Sequence, residues 1–122
     1  MSGQESRRRG RWGEELAAEF LRRKGYALVH ANWQCRYGEI DLIVENQAFL
    51  CFVEVKLRKS AAYGSAGAFV DRRKQEKLRT CAELYLSRFP AARQPRFDVV
   101  EIYAPQGTDS ARTWVRHLEN AF

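Results

Sequence analysis

The stretch Gly38–Arg58, GEIDLIVENQAFLCFVEVKLR, constrains the fold more than any other part of the chain. Isoleucine, valine, leucine and phenylalanine fill two runs, Glu39–Val44 and Phe49–Leu57, separated by Glu45-Asn46-Gln47-Ala48, where Asn46 suits a tight turn. A hairpin centred on Asn46 and Gln47 sets Ile43 opposite Leu50, Asp41 opposite Phe52 and Glu39 opposite Glu54. Side chains alternate faces along a strand, so Asp41, Glu54 and Lys56 share one face in this register. Ile40, Leu42, Val44, Val53 and Val55 fall on the other, which suits a core.

The charged face invites two readings. Glu54 and Lys56 stand inside Phe-Val-Glu-Val-Lys, where the neighbours predict burial, and a buried charge is costly without a partner or a metal. A structural ion-pair cluster satisfies that demand, and so does a functional site. In the second case Asp41 and Glu54 supply oxygen ligands to Mg²⁺ or Mn²⁺, and the carbonyl of Val55 can complete the set. Lys56 then orients a water or stabilises charge on a phosphate. Glu39, facing Glu54 in this register, needs either a shared cation or a base such as Arg36 or Lys56.

A first helix is predicted from Arg11 or Trp12 to Lys24, with Trp12, Leu16, Ala17, Phe20 and Leu21 as its inward stripe and Gly25 as its stop. Glu14 and Glu15 suit the positive end of the helix dipole. Glu14 would give a metal site a third carboxylate if this end approached the charged end of the hairpin. Tyr26–His30 reads as a short strand leading through Asn32, Trp33 and Cys35.

After Lys56, a Gly- and Ser-rich loop from Leu57 to Gly67 begins with Arg58 and Lys59 and contains Tyr63, a candidate base or sugar contact that could equally pack locally. A long helix is predicted from Phe69 to Phe89, stopped by Pro90, with Arg72, Arg73, Lys74 and Lys77 crowding its start as a phosphate-binding patch. Lys74 and Gln75 would face the site if this helix crosses its open side. Strands at Phe97–Tyr103 and Thr113–Leu118 complete an order of helix, three strands, helix and two strands, which points to an α/β sheet flanked by helices.

Residues 1–10 read as a flexible basic lead, and residues 11–122 as one domain. The net charge of +6 favours a polyanionic partner, nucleic acid before membrane. Three cysteines make no paired framework, and the two histidines lack zinc-finger spacing. No apolar signal core or membrane-spanning window is evident, so a cytoplasmic protein is expected.

Gly10, Gly13-Glu14, Ala17, Gly25-Tyr26, Asn32, Gly38-Glu39-Ile40-Asp41-Leu42-Ile43, Phe52-Val53-Glu54-Val55-Lys56, Lys74, Arg96-Phe97-Asp98-Val99-Val100 and Asn120-Ala121-Phe122 together resemble the YraN family of small bacterial proteins, also called UPF0102. That family resembles the restriction-endonuclease-like superfamily with its PD-(D/E)xK signature, and within it the archaeal Holliday-junction resolvases. The resemblance implies a mixed central sheet flanked by helices and metal-dependent phosphodiester cleavage. By position, Asp41 and Glu54 look like the signature acids, Lys56 like the catalytic lysine and Glu14 like the acid of the first helix; Ile40 replaces the signature proline. Cleavage of DNA in preference to RNA, with branched DNA favoured by analogy, is the expected function. Arg58, Lys59, Arg72, Arg73, Lys74, Gln75 and Lys77 are the expected substrate contacts, and a homodimer would offer paired cuts. A non-catalytic nucleic-acid-binding module on the same fold is the alternative.

Overall fold

In the computed structural model, which describes residues 3–59 and 70–122, helix α1 spans Gly3–Arg23. Its start lies earlier than the expected Arg11, because the preceding Gln, Glu and Arg residues are good helix formers and no proline interrupts them. The stop is as predicted. Gly25 takes φ 98°, a left-handed conformation suited to glycine, and the N–H groups of Gly25 and Tyr26 close back on the carbonyls of Arg22 and Leu21, each at 3.0 Å.

Among the described residues five strands follow: β1 (Ala27–Cys35), β2 (Gly38–Glu45), β3 (Phe49–Arg58), β4 (Gln94–Tyr103) and β5 (Trp114–Leu118). They form one sheet in sequence order, antiparallel throughout except for the parallel β3–β4 pair. A parallel pair needs a crossover. Helix α2 (Arg72–Arg88) supplies it, capped at its start by Asp71, whose Oδ1 accepts from the Lys74 N–H at 2.8 Å. The expected mixed central sheet with flanking helices is therefore the architecture found.

Two apolar layers hold it together. On one face Leu78, Cys81, Ala82 and Tyr85 of α2 pack on Ile40, Ile43, Leu50, Phe52 and Val99. On the other, Ala17 and Leu21 of α1 cover Leu42, Val44, Cys51, Val53, Val100 and Ile102. Cys35, Cys51 and Cys81 are free, and the sulfurs of Cys35 and Cys81 approach to 3.2 Å.

The hairpin register differs from expectation. Glu45 pairs with Leu50 and Ile43 with Phe52, so Asp41 no longer faces Phe52 and Glu39 no longer faces Glu54. The cause is Asn46, whose side-chain oxygen accepts from the N–H groups of Ala48 and Phe49 at 2.9 and 2.8 Å and so builds a longer turn. The slip is an even one, so faces are preserved near the turn.

They are not preserved farther out. Ile40 joins Ile43 in the layer under α2, whereas Leu42 lies under α1. Perfect alternation would have put Ile40 and Leu42 together. The break falls where Asn32 of β1 adopts φ 53° and the pairing passes from Ala31↔Leu42 to Trp33↔Ile40.

Candidate metal centre

The sheet opens beside that irregularity. β2 and β3 pair only from Glu45↔Leu50 to Leu42↔Val53. β3 then continues along β4 as far as Arg58↔Tyr103, while Gly38, Glu39 and Ile40 remain with β1. Asp41 stands at the fork, and its Oδ2 accepts from the Val55 N–H at 2.9 Å, giving that amide a partner where the ladder with β2 has ended.

Carboxylates converge on the fork. Oxygens of Glu14 from α1 and of Glu39 and Asp41 from β2 all lie within 4.8 Å of one another. With Glu54, Val55, Gly10, Gly13 and Leu57 they line an open cleft of about 290 Å³. Glu54 itself is buried, and Lys74 of α2 reaches its Oε1 at 3.6 Å.

This arrangement is electrostatically unsatisfied. Burial, followed by the charge of Glu54, pushes Asp41 up to about 7; the Val55 amide opposes the rise, while Glu14 and Glu39 add to it. Glu14 is raised as well, first by burial and then by Glu39 and Glu54, against a hydrogen bond from the Asn32 side chain and the charge of Arg11. A shared cation answers such a set. Three carboxylates from two different elements could together hold a divalent metal ion.

The residues singled out from sequence are distributed unevenly. Glu14, Asp41, Glu54 and Val55 meet at the cleft, and Lys74 touches its rim through Glu54. Lys56 is half-buried next along β3 and is not among the lining residues. Gln75 turns away to donate to the Val70 carbonyl at 2.7 Å, so it braces the entry to α2. Lys59, Arg72, Arg73 and Lys77 are exposed, and Arg58 is half-buried. Tyr63, most of its loop and the side chains of Arg7, Arg8 and Arg9 lie outside the described residues.

Glu39 and Asn32 complete the site beyond the sequence-based set. Glu39 had looked like a source of repulsion with Glu54; it belongs instead beside Glu14 and Asp41. A legible signal was present in Gly-Glu-Ile-Asp, which places two acids two residues apart on one strand.

None of the helices among the described residues is long and apolar enough to cross a membrane. Residues 13–102 match the family described as uncharacterised protein family UPF0102. A UPF0102 protein of Symbiobacterium thermophilum is 46% identical over 118 residues, covering 96% of this chain and 98% of its own. One from Syntrophomonas wolfei is 42% identical over 118 residues, with 96% and 99% covered. A Pseudomonas aeruginosa relative is 42% identical over 120 residues, with 96% and 94% covered. On this match and these identities, the chain belongs to the UPF0102 family.

Proposed function

We propose that this protein is a metal-dependent endonuclease that hydrolyses phosphodiester bonds in nucleic acid. The observation that carries the reading is the convergence of Glu14, Glu39 and Asp41 within 4.8 Å at the point where β2 and β3 separate. Glu14, Asp41 and Glu54, with the Val55 carbonyl, would hold the ion, and Glu39 joins them. Mg²⁺ or Mn²⁺ bound there supplies Lewis acidity to a water and to the scissile phosphate.

The chain's own groups do the rest. Asp41 is fixed by the Val55 amide, so its second oxygen is presented to the cleft without losing orientation. Lys56 lies one alternation beyond Glu54 and would stabilise the charge that gathers on the phosphate as water attacks in line and the ester oxygen leaves. Lys74 positions Glu54 in the resting protein and, with the exposed Arg72, Arg73 and Lys77, would hold the backbone on either side. Lys59 and Arg58 extend this positive margin from the end of β3, and Gln75 serves by bracing Val70.

The family's resemblance to the restriction-endonuclease-like superfamily, and through it to the Holliday-junction resolvases, supports this reading of the fork. Branched DNA is accordingly the first substrate to offer, and a dimer the first assembly to look for. Three free thiols suit a reducing cytoplasm.

Cleavage of duplex, flap and four-way-junction DNA and of structured RNA, with Mg²⁺ or Mn²⁺ and with chelator, tests the reading. Wild type should cut at least one substrate only with metal, and Asp41→Asn and Lys56→Ala should not. Salt-sensitive binding without cleavage would leave the non-catalytic binding module in its place.

A further inference from the structure

Beyond the acid cleft the sheet carries a second feature that points to a ligand. In the parallel and antiparallel ladders Lys56 lies beside Glu101 and Glu101 beside Arg116, while one step farther Arg58 lies beside Tyr103 and Tyr103 beside Trp114. Two cross-strand rows thus run from β3 to the edge strand β5. The outer row ends on Trp114, which is 52% exposed although it is among the largest apolar side chains of the protein.

Trp114 is not loosely placed. Its ring lies flat on Tyr103, with centroids 4.9 Å apart and an interplanar angle of 10°. Tyr103 is buried, and its hydroxyl donates to Glu101 Oε2 at 3.0 Å. The indole therefore has one face fixed to a rigid support and the other open. Arg116 flanks it with a half-exposed guanidinium, 3.9 Å from Glu101, and Arg112 is exposed on the approach to β5. A planar aromatic surface between cations on a chain of net charge +6 suits a base with its phosphates.

We propose that Trp114 is a stacking platform for an unpaired base of the nucleic acid whose backbone is cut at the fork; this rests on the endonuclease reading for its substrate class. Four residues along a strand and two strands across put the platform about 16 Å from Glu54. At about 3.4 Å per stacked step, that is at most about five nucleotides from the scissile bond. A base can reach the indole only where it is not paired, so the platform selects flaps, junction centres and single strands over continuous duplex.

Binding measured in chelator, with labelled single-stranded DNA, single-stranded RNA and blunt duplex DNA of one sequence, tests this without requiring cleavage. Trp114→Ala should weaken binding of the single strands about tenfold and leave the duplex within about twofold. Trp114→Phe should retain most of the affinity. Trp114→Leu keeps an apolar cover over Tyr103 but offers no aromatic face, so it should bind as Trp114→Ala does. Loss on both single strands assigns the contact to the base itself, and loss on one alone assigns DNA or RNA as the ligand. Affinity restored by leucine, or equal losses on duplex and single strand, would overturn the proposal in favour of a covering role. A wild type that binds but never cuts with metal removes the endonuclease reading and leaves the platform standing; one that cuts with metal but shows no single-strand binding in chelator removes the platform alone.

Discussion

Asp41 and Asp98 are both aspartates drawn into a strand environment on the α1 side of the sheet, yet they are opposites. Asp98 is fully buried and supplied with donors: Arg96 gives two hydrogen bonds at 2.8 Å, His117 Nε2 one at 2.7 Å and the Asn120 N–H one at 3.0 Å. Burial would raise its carboxyl, but the bonds from His117 and Arg96 outweigh that and hold it at about 2. Asp41 has one backbone donor and three acids for neighbours, and it is pushed up to about 7. One carboxylate is completed by its own chain, tying β4 to β5 and the segment after it. The other is left short of donors by its own chain, at an open cleft. Charge that the fold resolves is architecture, and charge that it leaves open is the better guide to chemistry.

The sharpest way to break this comparison is to exchange each carboxylate for its neutral isostere. Asp41→Asn should lower metal-dependent cleavage by about 10³-fold or more, measured as single-turnover rate on the best substrate, while the protein stays folded. Asp98→Asn should do the reverse. It leaves the Arg96 guanidinium, 8% exposed, without its nearest countercharge, with only the half-exposed Glu119 at 4.0 Å beside it. A loss of about 3–5 kcal/mol in urea unfolding is expected, with residual activity in whatever fraction remains folded. If both substitutions cost mainly stability, or both mainly cleavage, the distinction between the two sites fails.

A smaller effect sharpens it through pH. Asp41 has its folded-state carboxyl at about 7 against an ordinary value of 3.8, so its ionisation opposes folding. Its favourable contribution is full below the ordinary value and is lost as pH rises through about 7. The ceiling on that loss is about 4 kcal/mol, and sharing among the acids reduces it to the order of 2 kcal/mol. In chelator, therefore, Asp41→Asn should be more stable than wild type at pH 8 and indistinguishable from it near pH 4. Mg²⁺ should raise the melting temperature of wild type and erase the difference. Asp98 has the opposite sign: its contribution is present above pH 4 and lost as pH falls toward about 2. A wild type whose stability at pH 8 is indifferent to both Mg²⁺ and Asp41→Asn would contradict the unsatisfied cluster.

How much of this was legible in the sequence differs between the two aspartates. Two runs bearing acids foretold that Asp41 and Glu54 would line one cleft, but not that they share a face: Asp41 stands with Glu14 on the α1 side, while Glu54 alternates with Val53 and Val55 and meets Lys74 of α2. Glu14 followed from a helix whose apolar stripe had to face the sheet. The register did not, because Asn46 lengthens the turn through side-chain bonds that hydrophobic pattern does not encode. Nor did the change of face between Ile40 and Leu42, which depends on a left-handed residue in a different strand, Asn32. Glu39 was expected opposite Glu54, with a shared cation or a nearby base to settle the pair; with the register changed it stands beside Glu14 and Asp41 instead. The Asp98 network was invisible as a network: its donors come from Arg96, His117 and Asn120, with Tyr26 accepting from Arg96 at 2.6 Å, and only the folded sheet gathers them. Period and composition read local commitments well. Convergence of distant polar groups needs the topology.

The least costly perturbation falls on the link between the cleft and the positive helix. Lys74 is half-exposed and pairs at 3.6 Å with Glu54, which is nearly covered. Partly exposed pairs of this kind contribute little, so Lys74→Gln should change stability by no more than about 1 kcal/mol. Its consequence should appear elsewhere. If Lys74 also meets a phosphate when substrate enters, one counterion fewer is released on binding, and the slope of log affinity against log salt should fall by about one for every sequence offered. A slope unchanged from wild type would confine Lys74 to holding Glu54. In that event the substrate would be gripped by Arg72, Arg73 and Lys77, and the same measurement on Lys77→Gln would have to show the missing unit.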